Sequence, residues 1–181
     1  AGWCRKSGIT ARMTTVQDDY DALYGTLKAY LDKTDALITS GGAWTGDRDF
    51  VALALGALGW KKMFHRIRMG PGKAVGFGML GQKPVFVLAG GPPSNLMGFV
   101  QIALPGLQAL CGHADPGLPT ITARLSRDIK DGKADWTDMY YGTLEAGDNL
   151  PLFHPMKKRS RLSAIGQATA VACIPEGKEA L

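Results

Sequence analysis

Residues 39–50, TSGGAWTGDRDF, constrain the fold of this chain more than any other stretch: they join an apolar strand to an apolar helix through glycines and bring two carboxylates with them. The run before them, 35–39 (DALIT), and the run after, 50–58 (FVALALGAL), have the pattern of elements packed inside a layered α/β core. Gly41, Gly42 and Gly46 permit positive φ and close backbone approach. The amides that open the next helix then face a crevice, where the helix dipole favours negative charge. Asp47 and Asp49 oppose a bare anion there. Either one of them caps the helix, or a carboxylate beside a bound phosphate holds Mg²⁺ and removes the conflict of like charges.

A second unit of the same kind follows. Residues 84–88 (PVFVL) read as a strand, 89–94 (AGGPPS) as a turn, and 95–111 as an apolar helical stretch broken at Pro105. Two such units predict a crevice at the carboxyl ends of parallel strands, roomy enough for a ligand larger than one phosphate. Between them lie Lys61, Lys62, Arg66, Arg68 and Lys73, with no acidic residue in 60–73. Met63, His65, Ile67 and Met69 alternate with Phe64, Arg66 and Arg68, which predicts one strand with an apolar face and both arginines on the other. A solvated strand face is the plain alternative. Upstream, Tyr20, Leu23, Tyr24, Leu27, Tyr30 and Leu31 recur at helical spacing behind Asp18 and Asp19. Asp18 therefore either caps that helix or faces the crevice.

The succession SGGAWTGDRDF, a basic strand, PGK at 71–73, GFG and VFVLAGGPPS resembles the C-terminal half of the molybdopterin molybdenumtransferase family, whose usual wording is SGGxSxGxxD, PGKP and PGNPVS. That family includes the bacterial molybdenum-insertion enzymes and the C-terminal part of gephyrin. The resemblance implies an α/β fold: a three-layer molybdopterin-binding domain with a mostly parallel sheet over 1–112, its first strand missing, then a small all-β barrel domain over 117–181. It also implies an activity. Members insert molybdate into adenylylated molybdopterin and release the adenylate, with Mg²⁺ assisting. All these reactants are anions, and one well-placed cation at 4 Å is worth about 4 kcal/mol at an effective dielectric of about 20.

Carried over position by position, the resemblance assigns catalysis to Asp18, Asp49, Arg66 and Lys73, with Asp49 also the metal ligand. It assigns ligand contacts to Ser40, Gly41, Gly42, Gly46, Arg68, Gly90, Gly91, Ser94, Arg159 and Ser160. Several positions depart from the family. Gly70 stands where a lysine is usual, with Arg68 placed to compensate; Trp44 replaces serine, Ala89 proline, Gly91 asparagine, Pro93 valine and Ala74 proline, and Arg159 and Ser160 replace a Gly-Ser pair. The family also has N-terminal domains, through which it forms homodimers, that have no counterpart here. The chain thus reads as a fragment or truncated homologue with little activity alone. A catalytically impaired molybdopterin-binding or scaffold homologue is the alternative.

The remaining features narrow the classes. A formal net charge of +5 comes without a nucleic-acid motif, so small anionic ligands are the expected partners. GFGMLG at 76–81 fits GxGxxG only formally, since it lies between apolar strands rather than opening a helix. Cys4, Cys111 and Cys173 are scattered without metal-ligand spacing and read as reduced core thiols. His65, His113 and His154 are isolated. The apolar run 96–111 is too short to span a bilayer, and no signal-peptide pattern opens the chain, which predicts a cytoplasmic protein without a membrane partner.

Overall fold

The computed structural model describes residues 1–42, 50–130, 132–156, 162–178 and 180–181. They form two compact units, Ala1–Ile67 with Ala74–Leu118, and Arg68–Lys73 with Pro119–Leu181.

The first unit is a four-stranded sheet with helices packed on it. Its strands are β1 (Leu37–Ser40), β2 (Lys61–His65), β4 (Gly76–Leu80) and β5 (Lys83–Leu88), in the order β1-β5-β4-β2. Successive side chains of β5 point to opposite faces. Val85 and Val87 join a core with Leu27 of α2 (Tyr20–Leu31) and Val51, Ala54 and Leu55 of α3 (Phe50–Ala57). Phe86 and Leu88 join a second core with Cys4 of α1 (Gly2–Lys6), Ala103 and Leu107. The continuous apolar run of β5 is what a strand buried on both faces requires. All six residues of the expected α2 face pack against the first of these cores.

Three expectations are corrected. Among the described residues of this unit only β1 and β5 pair in parallel, because β4 turns back into β5 through Gly81 at φ 60° and β2 pairs antiparallel with β4. The sheet is therefore not mostly parallel. The helix after β5 is not broken at Pro105 either: α4 (Pro92–Gly98) passes through a π-helical turn, Phe99–Ala103, into α5 (Leu104–Leu110). Leu104 N–H bonds back to Phe99 across that wider turn, and Pro105 then falls in the first turn of α5, where its missing N–H costs little. Finally, only Cys4 is a core thiol, since Cys111 and Cys173 are exposed.

The second unit contains β3 (Met69–Gly70), β6 (Arg124–Leu125), β7 (Thr137–Glu145), β8 (Leu152–Pro155) and β9 (Ala170–Ile174). β3 pairs in parallel with the start of β7, which draws Arg68–Lys73 out of the 1–112 span where the sequence places it. β8 and β9 pair antiparallel with β7, and β6 pairs with β8. Among the described residues these pairings branch at β7 and do not close into a barrel. Nor is the unit all-β, because α6 (Leu162–Gln167) precedes β9. Ile129, Tyr140, Phe153 and Ile174 make its core. Among the described residues of the chain, no helix is long and apolar enough to cross a membrane.

Candidate functional site

The parallel pair brings two glycine turns together. β1 and β5 run in register from Leu37 opposite Val85 to Ser40 opposite Leu88, so both chains leave the sheet at the same end. Gly41 N–H then donates to Leu88 C=O at 3.1 Å, continuing the ladder one residue beyond the strands. Gly41 and Gly42 have φ of 91° and 64°, the left-handed region in which L side chains are strained. Across the gap, a Cβ built on Gly90 would stand 3.5 Å from the Gly41 Cα. This contact, together with the Gly41 bond, makes one crevice edge of the two turns.

Asn95 ties that edge. Its Nδ2 lies 2.9 Å from Ser40 Oγ and 2.7 Å from the carbonyl oxygen of Ala89, joining the β1 turn to the β5 turn. Its own N–H donates to Gly91 C=O at 2.8 Å, the first bond of α4. The sequence reading passes over Asn95 as the start of an apolar helix. A carboxamide opening such a run directly behind a glycine turn is the signal that marks it. One residue before Ser40 on β1, Thr39 Oγ1 is buried without a hydrogen-bond partner among the described residues.

Ser40, Gly41, Gly42, Gly90, Gly91 and Ser94 are thus all placed on or beside these turns. Gly41 differs from expectation in one respect. Its N–H is committed to Leu88 rather than available to an anion. Gly46, Asp49, Trp44 and Asp47 lie outside the described residues, as do Arg159 and Ser160.

The charged candidates fall elsewhere than the sequence places them. Asp19, not Asp18, caps α2, its Oδ1 accepting Ala22 N–H at 2.9 Å, while Asp18 is exposed one residue earlier. β2 ends at His65 and is irregular between Lys62 and Phe64: Met63 turns outward and Phe64 packs on the core in its place, while Ile67 packs on the core as expected. Arg66 follows the strand at φ 67°, its N–H bonded to Val75 C=O at 2.9 Å. Arg66 and Arg68 therefore do not share a strand face, because the chain passes from one unit to the other between them.

In the second unit, Arg68 pairs with Glu176 at 2.8 Å. Lys73 Nζ stands 5.3 Å from the centroid of the Trp136 ring, and Lys133 Nζ stands 5.2 Å from the same centroid. Cation–π attraction holds both ammonium groups at the indole. Sequence reading singles out neither Trp136 nor Lys133. Their meeting with Lys73 depends on the β3–β7 pairing, which no local pattern announces. Among the described residues, no three His, Cys, Asp or Glu side chains come together as a metal site.

Residues 1–109 match the family described as a probable molybdopterin binding domain. A molybdopterin molybdenumtransferase of Staphylococcus aureus is 30% identical over 166 residues, which is 90% of this chain and 39% of the relative. One of Nostoc sp. is 29% identical over 171 residues, again 90% of this chain and 39% of that protein. A solved structure of a molybdopterin biosynthesis MoeA protein from Pyrococcus horikoshii superposes with a TM-score of 0.70 at 28% identity, covering 92% of this chain and 39% of its own. A second, at 24% identity and a TM-score of 0.74 over 99% of this chain and 42% of its own, shares the fold. The chain thus spans about 39% of the length of the molybdenumtransferases it matches.

Proposed function

Because the chain belongs to the probable molybdopterin binding domain family of molybdenum cofactor biosynthesis, we propose that its paired glycine turns bind the phosphorylated pterin. The reaction we propose it serves is insertion of molybdate into adenylylated molybdopterin with release of AMP. The observation that carries this reading is the junction of the turns at the end of the β1–β5 pair, closed by Gly41 to Leu88 and by Asn95 to Ser40 and Ala89. Crevices at the carboxyl ends of parallel strands are where α/β sheets take such ligands. Left-handed glycines let a ligand approach the backbone there.

Ser40, Gly42, Gly90, Gly91 and Ser94 are the described residues proposed to line the ligand, with Gly46, Arg159 and Ser160 added by resemblance. Asp18, Arg66, Arg68 and Lys73 are proposed to act on its charge, and Asp49 to hold Mg²⁺. Bound there, Mg²⁺ would supply Lewis-acid stabilisation of the phosphate oxygens. Of its protein ligands only Asp49 is named, which suits an ion that usually takes one or two carboxylates and completes its shell from substrate phosphates and water. A homodimer formed by further domains and a cytoplasmic location belong to the same proposal.

A second reading, a scaffold that binds the pterin without catalysis, is favoured by Gly70, where the side chain of Asp138 occupies the space next to the missing lysine. Calorimetry of this chain with adenylylated molybdopterin tests both. Binding that falls at least tenfold in Asp49→Ala and Lys73→Ala supports the proposal. Binding without metal insertion when the family's other domains are added supports the scaffold. Absence of binding overturns both.

A further inference from the structure

The hydrogen bonds at Asn95 fix more than the position of the turns. The carbonyl oxygen of Ala89 can only accept, and it lies 2.7 Å from one terminal atom of the Asn95 carboxamide. That atom must be the NH₂ group, since an oxygen there would face another acceptor. The same nitrogen lies 2.9 Å from Ser40 Oγ. An amide nitrogen does not accept hydrogen bonds, so Ser40 Oγ accepts here and its own proton points elsewhere. Ser40 is exposed at the mouth of the β1 turn, beside Gly41 and Gly42.

We propose that Asn95 is a positioning residue: by giving one Nδ2 proton to Ala89 and the other to Ser40, it occupies one lone pair of the Ser40 hydroxyl and directs the hydroxyl proton away from Asn95, toward an oxyanion in the crevice. The inference rests on the reading of the paired turns as the ligand site, and adds to it which group donates and what orients it. An unconstrained serine hydroxyl offers donor and acceptor equally and favours no charge. One that already accepts a hydrogen bond, with its proton oriented by it, is biased toward donating and so toward anions. Gly41 N–H is spent on Leu88, which leaves the neighbouring Ser40 hydroxyl as a donor at this turn.

Two measurements on the full chain test this. In the ligand-free chain, NMR should show both Asn95 side-chain amide protons exchanging slowly. In Ser40→Ala, one of them should move to the exchange rate of a solvated amide while the other stays slow. If both already exchange freely in the unmodified chain, the proposal is overturned. Calorimetry with AMP as probe is the second arm. Ser40→Ala and Asn95→Ala should each weaken binding about tenfold, the worth of one hydrogen bond to a charged group. The double variant should be no weaker than Ser40→Ala, because Asn95 acts through Ser40. Losses that add, or an Asn95→Ala variant that binds as before, overturn the role of Asn95 while leaving the ligand reading in place. An unmodified chain that does not bind AMP, with both amide protons protected, overturns the ligand reading and the donor role of Ser40 with it.

Discussion

Gly70 faces Asp138 across the parallel β3–β7 pair, and a Cβ added to Gly70 would stand 3.3 Å from Asp138 Oδ1. Asp138 is 4% exposed, and its Oδ2 accepts Lys133 N–H at 2.9 Å, so the carboxylate has little room to withdraw. The lysine usual at this place in the resembled family would have to begin in that contact. Gly70→Ala should therefore destabilise the chain by about 1 kcal/mol, as small overpacking changes do. Urea unfolding checks it. In an Asp138→Ala background the same change should cost close to nothing, since the atom it crowds is gone.

Gly41 and Gly91 belong to the two paired turns, but only Gly41 needs to be glycine. Gly41 sits at φ 91° with open space where a Cβ would stand, so Gly41→Ala meets no clash but does meet backbone strain. A loss of about 1–2 kcal/mol is expected from that strain alone. Gly91 has φ −72° and ψ 126°, which any residue adopts, and also has open space. Gly91→Asn, which restores the usual family residue, should leave thermal stability within about 0.5 kcal/mol. If both changes cost the same, strain at Gly41 is not what holds the turn.

What the sequence reveals of this fold is what local burial patterns control. The six α2 positions from Tyr20 to Leu31 and the both-faces burial of β5 are readable because periodicity follows directly from which side meets the core. The first glycine turn is readable because few residues other than glycine take φ near 91°. The basic segment misleads for a physical reason. The irregularity between Lys62 and Phe64 shifts the alternation, Arg66 takes a left-handed φ, and β3 finds its partner in β7, far along the chain. A period-two pattern carries no information about bulges or distant partners. Asn95 is missed likewise, since its meaning depends on Ser40, 55 residues away.

Arg68 and Glu176 illustrate how little a visible ion pair can weigh. Their side chains are 60% and 51% exposed, and such pairs contribute about 0.2–1 kcal/mol at most, less in salt. Glu176→Gln should accordingly leave the unfolding midpoint almost unchanged at about 0.5 M salt, where charges so exposed are screened. It should also free the guanidinium. If Arg68 serves an anionic ligand, the same substitution should strengthen AMP binding at low salt, by calorimetry, and Arg68→Ala should abolish that gain. Unchanged affinity in Glu176→Gln would remove Arg68 from the ligand residues.

Tyr141 provides a pH signature for the second unit. It lies on β7 opposite Val171 of β9, and burial pushes its phenol up to about 12 from the ordinary value of 10.0. Desolvation disfavours the phenolate, so the folded chain holds this proton more tightly than the unfolded chain does. Where the folded state binds more protons, stability falls as pH rises. The contribution of Tyr141 is therefore fully present below pH 10 and is lost between pH 10 and about 12, as the unfolded chain ionises first. Absorbance titration of phenolate should show one tyrosine ionising late, and Tyr141→Phe should remove that step. The same variant should flatten the decline of the urea midpoint across this window. A late-ionising tyrosine that persists in Tyr141→Phe would overturn the assignment to Tyr141.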